Sequence, residues 1–405
     1  MENNQSASPK NENKRKTIRP GMWITALLLC FSIIFSAVTL IVPPKDFSDK
    51  ENRKLASRPE FSKETLIDGT FFKNAQAYFA DHFTGRDFWI TMNLRFKTLL
   101  GQKENGGVYI GKNNTLFLKP SEPNDAALKK NLEAMNAFIK DKKIKSYAAI
   151  IPNAVTVNAD KLPDNAPVPD QAEQLSYIAE NIPAVDFIDV TPALTAHKDD
   201  YIFYRTDHHW TSLGAKYAFE AIAADMGIKP KNDYKTYMVS DSFTGTLASK
   251  SGKYSTADKV EIYVPQTDIE YNVTFVDNKE KTATMYKESA LEGKDHYTVF
   301  FGGNHPRVDI KTTADTGRKL LVFKDSYANC LMQFMYPYFD EIIMIDPRYY
   351  YDSAYPLLNQ YSITDVLYLY NCDTFMTDTS LADALDNEEN SAQAIPEAEA
   401  QKAGN

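Results

Sequence analysis

Hydrophobic and polar residues follow three different patterns along this chain of 405 residues. The first pattern is an uninterrupted apolar run at 21–42, GMWITALLLCFSIIFSAVTLIV, which carries no charged residue. A helix of this length extends about 33 Å, and the hydrocarbon core of a bilayer is about 30 Å thick. The run therefore predicts a transmembrane helix.

The residues before this run favour one orientation in the membrane. They include more basic than acidic residues, namely Lys10, Lys14, Arg15, Lys16 and Arg19 against Glu2 and Glu12. The positive-inside rule then keeps 1–20 in the cytoplasm and sends the remainder across the membrane. A cleaved signal peptide is the alternative, but its apolar region is usually about 7 to 15 residues long and ends at a small-residue site. The longer run here, followed by PPKDF, favours an uncleaved anchor.

The second pattern is an alternation of helical and strand periodicity. Apolar residues recur at helical spacing in FFKNAQAYF and FWITMNLRF, and GGVYIGKNNTLFLKP has the signature of a hairpin. Beyond it, amphipathic helices alternate with the continuous apolar runs KSYAAII, KLLVF, EIIMI and DVLYLY. Such runs are typical of strands covered on both faces. The sequence therefore predicts an α/β fold with a mainly parallel central sheet.

The third pattern is the loss of either periodicity, and it delimits the predicted domains. A polar linker is expected at 43–62, followed by one extracytoplasmic domain at 63–377. Within that domain, 231–303 is irregular and contains short β runs, which predicts a β-rich insertion. The Glu- and Ala-rich stretch 378–405 carries no aromatic residue, so we expect a disordered acidic tail there.

Composition excludes one class of partner. The formal net charge is -9, whereas nucleic-acid binding requires a basic surface, so no nucleic acid is expected. Of the three cysteines, Cys30 lies in the apolar run. Cys330 and Cys372 are the only candidates for a disulfide beyond it, and free buried thiols are the favoured interpretation. No cofactor is expected.

One turn has the features of a nucleophile site. The strand KLLVF leads directly into KDSYANCLMQFM, whose apolar residues recur at helical spacing. Ser326 therefore falls at the carboxyl end of a strand and at the start of a helix. Open α/β sheets bind ligands at such ends, and backbone N–H groups there stabilise a developing oxyanion. Serine also caps helices frequently, so the turn alone leaves a structural role open.

The stretch TDHHW supplies a possible base. A serine hydroxyl needs a histidine to accept its proton and a carboxylate to orient that histidine. In an extended chain, Asp207 and His209 would point to one side and His208 to the other, where it would pack. Metal binding by Asp207, His208, His209 and His305 is the alternative. It is disfavoured because adjacent side chains diverge and no second cluster has ligand spacing, so no metal is expected.

The two motifs together resemble a known family. TDHHW and KDSYAN, with ENRKLASRPEF, GRDFW and IDPR, are similar to the DHHW family and, more broadly, to the alginate O-acetylation proteins with SGNH-hydrolase-like domains. The resemblance implies a three-layer α/β/α SGNH-hydrolase-like domain, with Ser326 as nucleophile, His209 as general base and Asp207 as its orienting partner. Lys324 and Asp325 depart from the Gly and Thr that the alginate proteins commonly have before the nucleophile.

Several further residues are candidates to stabilise the oxyanion or to bind substrate. They lie beside the nucleophile or at predicted strand ends: Tyr327, Asn371, Arg348, Asn153 and Asn304. A guanidinium can hold a carboxylate or phosphate on a glycan. Each candidate also has a structural alternative, because asparagines often end strands in turns and arginines often form surface salt bridges.

The resemblance implies a membrane-anchored, extracytoplasmic O-acetyltransferase that acts on a cell-surface or secreted polysaccharide. Because acetyl-CoA is cytoplasmic, the resemblance also implies a multispanning membrane acyltransferase as the partner that delivers acyl groups. Two alternatives stay open. One is a carbohydrate esterase with the same three residues, and the other is a non-catalytic glycan-binding or assembly protein with the same fold.

Overall fold

The computed structural model describes residues 20–48, 50–51, 53–140, 142–231, 233–254 and 256–386. These residues fall into two units. The N-terminal unit contains the described residues up to 48 together with 53–92, and the C-terminal unit contains 50–51 and 93–386. The division after Met92 lies well beyond the predicted domain start at 63.

Several helices begin at a residue whose side chain caps the first turn. Thr211 accepts a hydrogen bond from the N–H of Gly214, and Asn124 accepts one from the N–H of Ala127. In chain order the helices are α1 (Pro20–Ile41), α2 (Lys63–Ile67), α3 (Thr70–His82), α4 (Arg86–Leu99), α5 (Asp125–Phe138), α6 (Ala154–Val157), α7 (Gln171–Glu180), α8 (Thr191–Ala196), α9 (Ser212–Asp225), α10 (Thr246–Ser251), α11 (Tyr327–Met335), α12 (Tyr355–Gln360), α13 (Cys372–Thr377) and α14 (Leu381–Ala384).

The strands include the four continuous apolar runs that the sequence marks out. In chain order they are β1 (Phe47–Ser48), β2 (Arg53–Lys54), β3 (Glu104–Asn105), β4 (Val108–Ile110), β5 (Leu116–Leu118), β6 (Lys145–Ile151), β7 (Asp186–Phe187), β8 (Tyr234–Phe243), β9 (Asp258–Pro265), β10 (Tyr271–Phe275), β11 (Glu280–Thr282), β12 (Arg307–Thr312), β13 (Lys319–Lys324), β14 (Glu341–Ile345) and β15 (Asp365–Asn371). The predicted hairpin is present, because β4 and β5 pair antiparallel.

An eight-stranded sheet forms the centre of the C-terminal unit, in the order β11-β10-β12-β14-β13-β15-β6-β7. The five strands from β14 to β7 are parallel, as the alternating helix and strand pattern predicts. The other three extend the sheet antiparallel. Two of them, β10 and β11, come from the predicted insertion 231–303, so part of that segment completes the central sheet.

Both faces of the central strands are buried. In β13, Leu320 and Val322 belong to one apolar cluster, which also includes residues of α9 and α11. Leu321 and Phe323 belong to a second cluster, which includes residues of α5 and α7. This arrangement explains why the strands read as continuous apolar runs. It also separates the two buried cysteines, since one lies in each cluster and both are free thiols: Cys330 and Cys372.

The parallel strands β6, β13, β14 and β15 all end at one edge of the sheet. The residues at or just after these ends are Asn153, Asp325, Asp346 and Asn371. Polar side chains therefore gather where the backbone leaves the sheet, at the edge where open α/β sheets bind ligands.

The N-terminal unit contains the predicted membrane span. Residues Gly21–Ile41 of α1 have a mean hydropathy of 2.6 and form the one helix among the described residues that is long and apolar enough to cross a membrane. Thr39 and Tyr78 are the only buried residues that the structure describes in this unit. The unit therefore lacks an apolar core comparable to that of the C-terminal unit.

The predicted disordered tail is wrong at its start. Leu381 and Leu385 are 0% and 3% exposed and join the second apolar cluster through α14. The Asn131 side chain also bonds the backbone carbonyl of Asp378 and the N–H of Ala382. Leu381 in α14 and Leu385 just after it pack into this cluster, and α14 contacts α5. The remainder of the predicted tail, 387–405, lies outside the described residues.

Candidate active site

The TDHHW stretch forms a tight loop. Phe203 and Trp210 pair as a β-bridge at its base, and the N–H of Tyr204 donates to the carbonyl of His209 at 3.2 Å. Asp258 holds the loop from outside, accepting hydrogen bonds from the backbone N–H groups of Arg205 and Thr206. The loop is therefore attached to the first residue of β9.

Ser326 lies between β13 and α11. Every residue from Leu320 to Pro337 is buried except Ser326, which is partly exposed. The indole of the fully buried Trp210 donates to the carbonyl of Tyr327 at 3.0 Å, and the Tyr327 hydroxyl donates to the carbonyl of His208 at 2.6 Å. These two bonds join the turn that carries Ser326 to the TDHHW loop.

The structure brings together the three residues predicted to act in catalysis. His209 Nδ1 lies 2.6 Å from Asp207 Oδ1, and His209 Nε2 lies 2.7 Å from Ser326 Oγ. An ionised carboxylate accepts hydrogen bonds and donates none, so the proton resides on Nδ1 and the serine hydroxyl donates to Nε2. This orientation suits a base that accepts the serine proton.

Asp207 is held by a threonine that the sequence did not single out. Its Oδ2 accepts hydrogen bonds from the Thr246 N–H at 2.8 Å and from Thr246 Oγ1 at 2.9 Å. Burial alone would raise the pKa of Asp207, but the charges of His208 and His209 and these hydrogen bonds hold it well below its ordinary value. The carboxylate is therefore charged at neutral pH.

Gly245 permits this approach of Thr246 to Asp207. A Cβ atom at position 245 would lie 2.3 Å from Asp207 Cβ and 2.4 Å from Asp207 Oδ2, closer than real contacts allow. The pair Gly-Thr in SFTGTLAS is the only sequence signal for this contact, and it lies 39 residues beyond Asp207 in the chain.

His208 was predicted to point away from Asp207 and His209, but in the structure it lies beside them. The prediction assumed an extended chain, whereas the loop bends and brings the His208 and His209 rings to 3.9 Å between centroids. Thr246 donates its hydroxyl to Asp207 and accepts from His208 Nδ1 at 2.9 Å. Burial and the neighbouring His209 charge lower the pKa of His208, so it remains neutral at physiological pH.

Two predicted oxyanion donors are engaged in other hydrogen bonds. The Asn371 amide donates to Asp325 Oδ2 and to Thr374 Oγ1. The Asn153 amide donates to Asn371 Oδ1 at 3.1 Å. These bonds connect the ends of β6, β15 and β13, so both asparagines stabilise the edge of the sheet next to Ser326.

Tyr327 is also occupied as a backbone donor. Its N–H donates to Asp325 Oδ1 at 2.8 Å, while the N–H of Asn371 donates to Asp325 Oδ2 at 2.9 Å. Burial raises the pKa of Asp325, and the Arg348 charge and these N–H groups oppose that rise. Asp325 therefore fixes the shape of the turn that carries Ser326.

Arg348 and Asn304 remain accessible near the site. The Arg348 guanidinium binds Asp346 through two nitrogens at 2.8 and 2.7 Å, and 31% of its side chain is exposed. The exposed Asn304 accepts hydrogen bonds through Oδ1 from Lys324 Nζ and Asn329 Nδ2. Lys324 is buried, which lowers its pKa, and its ammonium lies 3.6 Å from Asp346. The Lys324 charge before Ser326 therefore belongs to a buried polar network.

A tyrosine that sequence reasoning missed contacts both His209 and Ser326. Tyr297, in the turn His296–Val299, stacks on the His209 ring with centroids 3.8 Å apart and planes 12° apart. Its hydroxyl donates to the backbone carbonyl of Ser326 at 2.8 Å. No motif marks Tyr297, because it lies far in sequence from both residues that it contacts.

The same loop has spacing that a metal ion could use. One ligand atom from each of Asp207, His208 and His209 lies within 4.8 Å of the others. Both nitrogens of His209 are engaged with Asp207 and Ser326. A metal bound through His209 would therefore displace one of these two contacts.

Solved structures resemble the fold of this chain. A DHHW family protein from Eubacterium siraeum matches with a TM-score of 0.60 at 24% identity, over 70% of this chain and 95% of that protein. Bacillus cereus PatB1, in a structure with a sulfonyl adduct, matches with a TM-score of 0.56 at 19% identity, over 67% of this chain and 98% of that one. At these identities the matches show a shared fold.

Comparison of the amino-acid sequence with known proteins identifies a distant relative and a matching protein family. The probable alginate O-acetylase AlgJ of Pseudomonas syringae pv. tomato is 21% identical over 218 residues, which are 50% of this chain. The chain spans about half of that relative, 54% of its length. The family model described as DHHW protein matches residues 51–131 and 127–345, which is more than half of the chain and includes both motifs. This protein therefore belongs to the DHHW family.

Proposed function

We propose that this protein is a membrane-anchored O-acetyltransferase that modifies hydroxyl groups of a cell-surface or secreted polysaccharide. The observation that carries the proposal is the continuous hydrogen-bonded series Asp207, His209 and Ser326, with Ser326 reachable from solvent. The relative named as an alginate O-acetylase supports a polysaccharide as the acceptor.

In the first step, Ser326 Oγ attacks the carbonyl carbon of an acyl donor while His209 Nε2 accepts the hydroxyl proton. The negative charge of Asp207 stabilises the imidazolium that forms. Collapse of the tetrahedral intermediate breaks the bond to the donor, whose leaving group receives the proton from His209. The product is an acyl ester on Ser326.

In the second step, a glycan hydroxyl takes the place of the leaving group. His209 accepts the proton of that hydroxyl as its oxygen attacks the acyl ester. The new ester forms on the glycan, and the proton returns to Ser326 Oγ. Water in place of the glycan would give hydrolysis, so exclusion of water from the acceptor site would decide the outcome.

The oxyanion of each intermediate needs a donor, and the backbone N–H of Ser326 is the best placed. Within the part of the chain that the structure describes, no acceptor bonds this N–H, whereas that of Tyr327 is bonded to Asp325. Asn304 is a second candidate, because it bonds Asn329 one helical turn beyond Ser326 and its own amide nitrogen has no partner among the described residues.

Glycan binding is proposed for the surface near His208. Arg348 lies just after the end of β14 and keeps part of its side chain exposed. A groove beside His208 is lined by Asn153, Asp373 and the apolar residues Leu118 and Pro120. Polar groups among apolar walls suit a sugar ring, which has both kinds of surface.

The fold and the anchor complete the proposal. Sheet residues alternate between a cluster shared with α9 and α11 and one shared with α5 and α7, which supports a three-layer α/β/α SGNH-hydrolase-like domain. The hydropathy of α1 and the basic residues before it support an anchor with the domain outside the cytoplasm. Acyl groups would then reach Ser326 from a multispanning membrane acyltransferase.

The full-length protein in detergent, supplied with an activated acetyl ester and an oligosaccharide, tests the proposal. We expect acetylated oligosaccharide from the native protein and none from Ser326→Ala or His209→Ala, with unchanged circular dichroism. Each of these groups is required for the covalent step, so retained transfer in either variant would refute the mechanism.

Two alternatives give different results in the same experiment. Acetate release that depends on Ser326 without any acetylated oligosaccharide would indicate a carbohydrate esterase. Failure of Ser326 to react with a sulfonyl fluoride, in a protein that still binds oligosaccharide, would indicate a non-catalytic glycan-binding protein.

A further inference from the structure

The N-terminal unit carries large apolar side chains that its own fold leaves uncovered. Phe72, Phe88, Trp89 and Met92 in α3 and α4 are 63%, 59%, 40% and 42% exposed, and Ile67 in α2 is 89% exposed. Exposed apolar surface of this extent marks a binding surface.

The start of α4 and the residues before it pack against α1. The Phe83 ring stacks on Phe35 with centroids 5.6 Å apart, and the Trp89 ring lies 6.1 Å from Phe31 and 6.2 Å from Phe35. The N–H of Thr84 donates to Thr39 Oγ1 at 3.2 Å. The break between α3 and α4 is therefore attached to the C-terminal half of the predicted span.

If α1 crosses a bilayer, these contacts determine how deep in the bilayer the α3–α4 break lies. The helical rise places Phe35 about 9 Å and Phe31 about 15 Å from the Ile41 end of the helix. Side chains in contact with those rings would then lie within the hydrocarbon of one leaflet, since each leaflet contributes about 15 Å.

An open groove at the same break has the composition of a lipid contact. It measures about 500 Å³ and is lined by Phe79, Ala80, Phe83, Arg86, Trp89 and Ile90. Aromatic and aliphatic side chains with an arginine beside them are typical of helices that lie at the boundary between acyl chains and headgroups.

We propose that the α3–α4 break and the first turns of α4 are inserted into the leaflet from which Ile41 emerges, with Phe88, Trp89 and Met92 in contact with lipid acyl chains. We infer that lipid of the bilayer covers this surface. The contacts of the α3–α4 break with α1 place the surface at the level of the acyl chains when α1 spans the membrane. The inference rests on the membrane anchor proposed above and adds a second membrane contact to it.

Tryptophan fluorescence distinguishes the two claims. The chain has three tryptophans, of which Trp23 lies in α1, Trp89 in α4 and the fully buried Trp210 in the C-terminal unit. Full-length protein is reconstituted in vesicles of phospholipid brominated on its acyl chains, since bromine quenches indole emission on contact. Trp23→Phe reports on Trp89, and Trp89→Phe reports on Trp23, each above the constant emission of Trp210.

We expect both variants to lose emission in brominated vesicles relative to unbrominated ones, while serine-dependent ester hydrolysis remains at the native level as a control for folding. Quenching of Trp89→Phe alone would leave the anchor intact and overturn the lipid contact of α4, as expected for a surface covered by a protein. Absence of quenching in both variants would overturn the anchor and, with it, this inference.

Discussion

The two units of this protein differ in how far their apolar side chains are buried. In the C-terminal unit, residues such as Leu320 and Leu367 are fully buried. In the N-terminal unit, Ile67 and Phe72 are largely exposed, although they occupy helices with ordinary amphipathic spacing. The difference shows that apolar spacing predicts a helix but does not identify what covers its apolar face.

The polar groups around Ser326 are extensively hydrogen-bonded. Around Ser326, the carboxylates of Asp207 and Asp325 each accept hydrogen bonds through both oxygens from neighbouring residues. Such fully bonded networks fix side-chain positions, which catalysis requires. The predictions below test this contrast between the units, beginning with the largest expected effect.

The first prediction compares the removal of one carboxylate charge in each unit. Asp207→Asn should lower kcat for hydrolysis of an activated acetyl ester by about 10⁴-fold, the scale seen in serine hydrolase triads, because an amide cannot stabilise the imidazolium of His209. Asp68→Asn, the same change at an exposed residue of the N-terminal unit, should leave kcat unchanged. More than about a tenth of native activity in Asp207→Asn would contradict the role assigned to Asp207.

The second prediction compares truncations of apolar side chains. Leu367→Ala removes a fully buried side chain and should lower the free energy of unfolding by about 2 to 5 kcal/mol. Ile67→Ala removes a side chain that is 89% exposed and should change it by less than about 0.5 kcal/mol. Urea unfolding of detergent-solubilised protein, followed by near-ultraviolet circular dichroism, measures both. Equal losses would show that a cover for Ile67 persists in detergent.

The third prediction tests the support of Asp207. Thr246→Val keeps the shape and the backbone N–H but removes one hydrogen bond to a buried carboxylate. A loss of about 1 to 3 kcal/mol corresponds to a decrease in kcat of roughly 5- to 150-fold. Thr246→Ser retains the hydroxyl and should restore most of the activity, whereas equal activity in the two variants would assign no role to the hydroxyl.

The fourth prediction concerns Tyr297 as a positioning residue. Tyr297→Phe keeps the ring stacked on His209 and removes the hydrogen bond to the Ser326 carbonyl. We expect kcat to fall by roughly 3- to 10-fold, the scale of one hydrogen bond, with KM unchanged. Tyr297→Leu removes the stacked ring as well and should lower kcat further. A change confined to KM would instead indicate that Tyr297 contacts substrate.

The smallest expected effect concerns pH. Burial lowers the pKa of His208 from its ordinary 6.5 to about 3, so between about pH 3 and 6.5 the unfolded chain binds a proton that the folded protein does not. Stability should therefore decrease as pH falls through this window. The His208→Gln variant cannot titrate and should show a shallower decrease in Tm. The difference should be modest because 29% of the His208 side chain is exposed to solvent. Parallel curves would refute this contribution.

The sequence predicted the elements that depend on local or repeating patterns. The continuous apolar run KLLVF identified a strand buried on both faces, and the polar residues after it placed Ser326 at the strand end. The resemblance to the DHHW family, confirmed by the family model, identified the three residues that the structure brings together. Strand burial and family motifs could be recognised because each depends on residues close together in the chain.

The supporting contacts required the tertiary structure. Apart from the Gly-Thr pair at 245–246, the sequence did not indicate that Thr246 contacts Asp207 or that Tyr297 contacts Ser326, because those pairs are separated by 39 and 29 residues. The sequence likewise offered Asn371 and Tyr327 as oxyanion donors. In the structure, the Asn371 side-chain amide and the Tyr327 backbone N–H both donate to Asp325. A donor's availability depends on every acceptor near it in space.

The sequence by itself therefore determined the apolar span, the mainly parallel sheet and the residues Asp207, His209 and Ser326. Only the tertiary structure decided which polar groups are bonded, that His208 lies beside Asp207, and which apolar faces are left uncovered. The physical reason is that strand and helix patterns arise from residues close in the chain. Hydrogen-bond satisfaction and burial depend on groups that are distant in sequence and meet only when the chain folds.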